Sequence, residues 1–153
     1  MSRIDRNECS FMDMEWFGVD RAGNIAVFCS AGVGNLPEFV CADKERANAL
    51  IEYFETAEKI SDTILLNKMN MTERFQWVAH DFSDRGLYYF DSDDNTEFGV
   101  CRLHEYYTKI SIPQNPIKFC SLPEHIQKIM ENNLLEIDDF SLINTINVKH
   151  AYE

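Results

Sequence analysis

Apolar and polar positions along this 153-residue chain change period several times, and each change marks an element. Met14–Asp20 and Asn24–Ser30 are two apolar, aromatic-rich runs joined by Arg21-Ala22-Gly23. Such runs around a short glycine-containing turn predict a β-hairpin, with Gly23 supplying the positive φ. A loop from Ala31 to Pro37 follows. Asp43 is placed to cap a helix, with Glu45 in its first turn. Ala47, Leu50, Ile51, Phe54 and Ala57 recur at i, i+3, i+4 and i+7, and Ile60 and Ile64 extend that stripe. Asn67–Asn70 breaks the pattern. Thr72 then caps a second helix that turns Phe75, Val78, Ala79 and Phe82 inward and stops at Gly86.

Beyond Gly86 the period shortens towards two. Leu87–Asp91, Glu97–Leu103 and Tyr106–Ile112 read as strands, with Ser92–Thr96 as a polar turn. In the last strand Tyr106, Thr108, Ile110 and Ile112 share one face, and Tyr107, Lys109 and Ser111 the other. Pro113 and Pro116 end the sheet. Ser121-Leu122-Pro123-Glu124 has the form of a capping box before a helix carrying Ile126, Ile129 and Met130. A last strand is expected near Thr145–Lys149. Residues 1–13 carry no periodic signal and read as a frayed lead-in. Strands that arrive in runs predict an α+β fold. Its sheet is mainly antiparallel, an N-terminal hairpin plus a central meander, packed against two to three helices. With no repeat and no linker, residues 1–153 are read as a single domain.

Composition adds charge to this picture. The net charge of −12 repels nucleic acid and anionic membrane surfaces, so a macromolecular partner is expected to be basic. Five cysteines (Cys9, Cys29, Cys41, Cys101, Cys120) are odd in number and lack CxxC spacing. Cys29 and Cys101 lie in apolar runs, where a free thiol packs as a small hydrophobe. Met1–Asp13 is polar and mixed in charge, and no apolar run reaches membrane-spanning length. A cytoplasmic protein with reduced thiols is expected.

Familiar chemical motifs fail residue by residue. Gly32-x-Gly34 lacks the third glycine of a dinucleotide loop, where Pro37 stands, and the Gly-Lys-Ser/Thr of a P-loop. Asp91-Ser92-Asp93-Asp94-Asn95 resembles the start of a calcium loop, but Thr96 replaces the glycine at position six and Arg102 the glutamate at position twelve. His80, His104, His125 and His150 form no HExxH and no His or Cys pair at ligand spacing. No GxSxG elbow is present. Neither a metal nor a cofactor is expected.

Two segments resemble a known group. Glu15-Trp16-Phe17-Gly18-Val19-Asp20-Arg21-Ala22-Gly23-Asn24-Ile25-Ala26-Val27-Phe28, with Leu36-Pro37, is similar to the opening hairpin of a group of uncharacterised bacterial cytosolic proteins. Gly86 to Asp91, Tyr106 to Pro113, Pro116 and Leu122-Pro123 resemble that group's second half. The matched positions cover about half of the chain. Gly18 departs from the group, where a larger residue is commoner. Some members look like immunity proteins, which neutralise toxins of competing bacteria, and the group brings no catalytic residues with it.

The resemblance and the acidity together imply a non-enzymatic binding protein, an immunity protein that blocks a basic toxin domain through an acidic surface. The candidate contacts are the turn Asp91, Asp93, Asp94 and Glu97 and the late cluster Glu136, Asp138 and Asp139. The same residues also fit an ordinary solvated turn and helix end. A rival reading is a small-ligand binder or enzyme whose site gathers Trp16, His80, His104 and the Gly32–Gly34 loop into one pocket. A third is a structural or regulatory subunit that uses exposed aromatics.

Overall fold

The hairpin forms where the sequence places it. The computed structural model describes residues 2–4, 14–30, 35–92 and 106–148. β1 (Glu15–Val19) pairs antiparallel with β2 (Ile25–Cys29), from Glu15 opposite Cys29 to Val19 opposite Ile25. Gly23 takes φ 84°, a dihedral that costs glycine nothing, and its N–H reaches the Asp20 carbonyl at 3.1 Å. Both strands are buried along nearly their whole length. That is why they read as continuous apolar runs: a strand covered on both faces has no solvent side to alternate with.

Among the described residues four further strands join the sheet: β3 (Thr63–Leu65), β4 (Tyr88–Asp91), β5 (Tyr106–Pro113) and β6 (Thr145–Asn147). Their order is β1-β2-β4-β5-β3, with β6 also on β5. β3 and β6 share the far edge of β5, on Thr63–Leu65 against Ser111–Pro113 and Thr145–Asn147 against Tyr106–Thr108. The sheet is mostly antiparallel. The exception is β2 with β4, which run parallel and therefore need the long helical crossover between them.

The helices are α1 (Glu38–Cys41), α2 (Lys44–Glu55), α3 (Glu73–Ser83) and α4 (Glu124–Met130). Asp43 accepts hydrogen bonds from the N–H groups of Glu45 and Arg46 at 3.1 and 3.2 Å, and Thr72 from that of Phe75 at 3.1 Å. These caps fix where α2 and α3 begin. Gly86 stops the second helical run at φ 90°, with the backbone of Ile117 close against it. Leu50, Phe54, Ala79, Phe82, Ile126 and Met130 lay α2, α3 and α4 on one face of the sheet, against Phe17, Val27 and Tyr89.

The other face is concave. It carries Trp16, Phe28, Phe90, Tyr107 and Ile146, which pack with Phe140 and Val148 of the C-terminal segment. Trp16 on β1 meets Tyr107 on β5 edge-on at 5.6 Å between ring centres, although β2 and β4 lie between their strands. A flat sheet would hold strands three places apart at roughly 14 Å. The sheet therefore curls its two edges towards each other over an aromatic core.

Several expectations are corrected. The stripe of α2 ends at Glu55, and Thr63-Ile64-Leu65 leaves it to form β3, where β-branched side chains suit the pleat. α1 was not expected at all. The Ser121 hydroxyl donates to the Lys118 carbonyl and caps nothing in α4, which starts after Pro123. Ser2–Ile4 is anchored: Ile4 is buried and its N–H meets the Cys41 carbonyl at 2.9 Å. In β5 the face pattern breaks, because Tyr89 pairs with Ser111 and Phe90 with Lys109, leaving Ile110 as a bulge. Tyr107 and Ile112 consequently share the concave face, while Ile110 and Ser111 turn to the helices. The expected strand Glu97–Leu103 and turn Ser92–Thr96 lie largely outside the described residues, as do residues 5–13.

Candidate functional site

The hairpin turn and the chain from Asn133 to Ser141 build one surface. The outer edge of β1 needs partners for its backbone, and this segment supplies them. The Asn133 amide donates to the Phe17 carbonyl at 2.8 Å, and the Leu135 N–H to the Val19 carbonyl at 2.8 Å. Arg21 N–H donates to the Ile137 carbonyl at 2.8 Å. Gly18 leaves room for the Leu135 side chain, whose Cδ1 would stand 2.6 Å from a Cβ there.

Behind the turn lies a buried polar clip. Asp20, only 3% exposed, accepts from the Asn24 N–H at 2.8 Å, the Asn24 amide at 3.1 Å and the Phe140 N–H at 2.7 Å. The Asn24 amide also reaches Asp139 at 3.2 Å, and Lys118 donates to the Asn24 Oδ1 at 2.6 Å. Buried Lys109 donates to the carbonyls of Phe140 and Ser141 at 3.0 and 3.3 Å. Asp20 and Lys109 are buried in the clip, Asp139 is half-buried, and Lys118 reaches into it from the surface.

The hydroxyl and N–H of Ser141 hold the Asp139 carboxyl below its ordinary range, with Lys118 and Lys109 adding to them. Burial lowers the Lys109 ammonium and Asp139 opposes that shift. Burial, and then the charges of Asp139 and Asp20, raise the Tyr88 phenol. Each of these polar groups is committed to an internal partner. The clip fastens residues 137–141 to the hairpin.

What it holds up is a ridge between two open grooves. One, of about 600 Å³, is lined by Val19, Arg21, Gly23, Phe119 and Leu134; the other, of about 320 Å³, by Phe39, Ile137, Ile146 and Val148. Leu135 and Glu136 border both. Leu134 is 61% exposed. Asp138 is exposed and pairs with Arg21 at 2.7 Å, whereas Glu136 has no ion pair among the described residues.

The predicted contacts divide. Glu136 and Asp138 stand on this ridge. Asp139 does not join their exposed face: it turns inward to Asn24 and to the Ser141 N–H at 2.8 Å, capping a short 3₁₀ turn at Phe140–Leu142. Asp91 is likewise corrected. β4 runs on through it, paired with Cys29 and Thr108, and its buried carboxylate accepts the Tyr89 hydroxyl. Asp93, Asp94 and Glu97 lie outside the described residues.

The rival site is not assembled by the residues that can be seen. Trp16 is a core residue stacked on Phe28 at 4.0 Å, its indole N–H donating to the Tyr107 hydroxyl at 3.1 Å. His80 is exposed on α3, whose inward residues pack on the opposite sheet face. His104, His150 and Gly32–Gly34 lie outside the described residues, as do Cys9 and Cys101. Cys29 and Cys41 are buried and Cys120 is exposed. Among the described residues, no three His, Cys, Asp or Glu side chains gather as a metal site would need. No helix of the described residues is long and apolar enough to cross a membrane.

Compared with known proteins, the chain matches no family model, no curated protein and no solved structure.

Sequence reasoning passed over Asp20, Asn24, Lys109, Lys118 and Asn133. One signal was there: Asp20 and Asn24 flank a glycine turn, and Asp and Asn are residues whose side chains bond nearby turn backbone. A lone lysine in the apolar run Tyr106–Ile112 was a second, since a buried ammonium needs fixed acceptors.

Proposed function

We propose that this chain is a binding protein that engages a basic partner through the ridge of Leu134, Glu136 and Asp138. The carrying observation is that a segment tied to β1 by buried hydrogen bonds presents an exposed leucine and the exposed carboxylates of Glu136 and Asp138, with two open grooves beside it. Apolar contact at the centre of such a patch supplies affinity, and the charged rim steers association and selects the partner. A chain of net charge −12 attracts basic surfaces over a Debye length at low salt. An immunity role is the form of this function that the hairpin and meander resemblance favours. The ridge would occlude the basic active site of a toxin domain that acts on nucleic acid, within a reducing cytoplasm.

The test is binding of a panel of basic toxin nuclease domains, measured by interferometry at 50 and 500 mM salt. A domain bound at least tenfold more weakly at high salt, and at least tenfold more slowly by Glu136→Lys/Asp138→Lys, supports the proposal. Binding that ignores both salt and charge reversal refutes it.

A further inference from the structure

The smaller groove occupies the gap between the two curled edges of the sheet. Its walls come from the ridge along β1 (Leu135–Ile137) on one side and from β6 (Ile146, Asn147 and the adjoining Val148) on the other. Among the described residues β6 is an edge strand, paired only with β5. Lys109 N–H donates to the Asn144 carbonyl at 2.7 Å, and Tyr107 lies opposite Ile146, so Asn144 and Ile146 direct their backbone groups at β5. In an antiparallel ladder the intervening residues direct theirs away. The N–H and C=O of Thr145 and Asn147 thus face outward, and they have no hydrogen-bond partner among the described residues.

Beside this open edge the lining is apolar at Phe39, Ile137 and Ile146, and Glu136 and Glu38 add carboxylates to it. Glu38 shares its charge with Arg3, and Glu136 is unpaired among the described residues.

We infer that the groove takes an extended segment of the basic partner as an added strand on β6, its apolar side chains alternating into the gap and a lysine or arginine reaching Glu136. The inference rests on the function proposed above and specifies its geometry. An extended peptide adds to an exposed edge through its main chain, and alternate side-chain pockets confer the selectivity. Charge complementarity fixes the occupant's sign. A second copy of this chain would bring another net charge of −12 to the same place.

The probe is a displayed library of random twelve-residue peptides selected against the full chain. Enriched peptides are then synthesised with single backbone N-methyl groups walked along them. Enrichment of alternating apolar residues with at least one Lys or Arg is expected. Methylation should weaken binding tenfold or more at the two positions, two residues apart, that lie opposite Thr145 and Asn147, and less than threefold at the position between them. Since the protein is unchanged in this experiment, misfolding cannot produce the alternation.

If lysine-containing peptides bind in a salt-sensitive way but methylation has no two-residue period, strand addition is wrong and the basic-partner reading stands. If the selected peptides carry no basic residue and bind independently of salt, the basic-partner reading fails with it. Sedimentation showing a dimer that the peptide dissociates would assign the edge to a second copy and overturn the inference.

Discussion

Asp20→Ala removes the centre of the clip without touching the exposed surface. The carboxylate accepts three hydrogen bonds, from Asn24 N–H, the Asn24 amide and Phe140 N–H, at 2.8, 3.1 and 2.7 Å. Hydrogen bonds to a charged group contribute roughly 1.5–3 kcal/mol each, and a donor left buried without a partner costs about 1–3 kcal/mol. The Asn24 amide keeps Asp139, so two backbone donors are orphaned. The expected loss is about 4 kcal/mol, a large share of the roughly 5–15 kcal/mol that stabilises a domain. Asp20→Asn keeps one acceptor oxygen and should lose about half as much. Urea unfolding at pH 7 gives the loss, and amide exchange at Phe140 and Leu135 locates it. The ridge should open before the hairpin does. A loss under about 1 kcal/mol with Phe140 still protected would show that the clip does not hold the segment.

Other perturbations test neighbouring parts of the same argument. Gly18→Ala sets a methyl 2.6 Å from the movable tip of Leu135 and should cost about 1–2 kcal/mol. In a Leu135→Ala background that cost should vanish, and a double-mutant cycle in urea checks the coupling. Gly86→Ala should lower Tm several degrees more than Gly23→Ala: both need positive φ, but only at Gly86 does the new Cβ meet backbone, the Ile117 nitrogen at 2.7 Å. Asp139 has a depressed folded pKa, so its stabilisation is complete above its ordinary value of 3.8 and disappears as pH falls through the folded one. Asp139→Asn should therefore flatten the stability profile measured by urea titration between pH 5 and pH 2; an unchanged profile would contradict the assignment.

Local chemistry was legible in the sequence. The Gly23 turn, the caps at Asp43 and Thr72 and the stop at Gly86 each depend on residues within a few positions of one another, and all four stand as read. What escaped depends on distant partners. Nothing near Asp91 signals that β4 carries it inside, because its burial comes from strands supplied by residues 29 and 108. The bulge at Ile110 shifts a strict alternation by one, which no pattern of period two can announce. Of the late acidic cluster, Glu136 and Asp138 are exposed, but Asp139 faces inward because Asn24, remote in sequence, draws its carboxylate there. The parallel pairing of β2 with β4 and the curl that joins Trp16 to Tyr107 belong to the same class.

The bonds that close the β1 edge join residues far apart in synthesis: 116 positions separate Phe17 from Asn133, and 120 separate Asp20 from Phe140. At roughly 5–20 residues per second, a ribosome needs on the order of ten seconds to make the difference. Through that interval the aromatic hairpin has left the exit tunnel with its outer strand bare. A nascent chain in this condition is a target for pairing with its neighbours on a polysome, and a natural client for chaperones that bind apolar segments. Stop codons placed before and after Phe140 should therefore separate aggregating translation products from soluble ones.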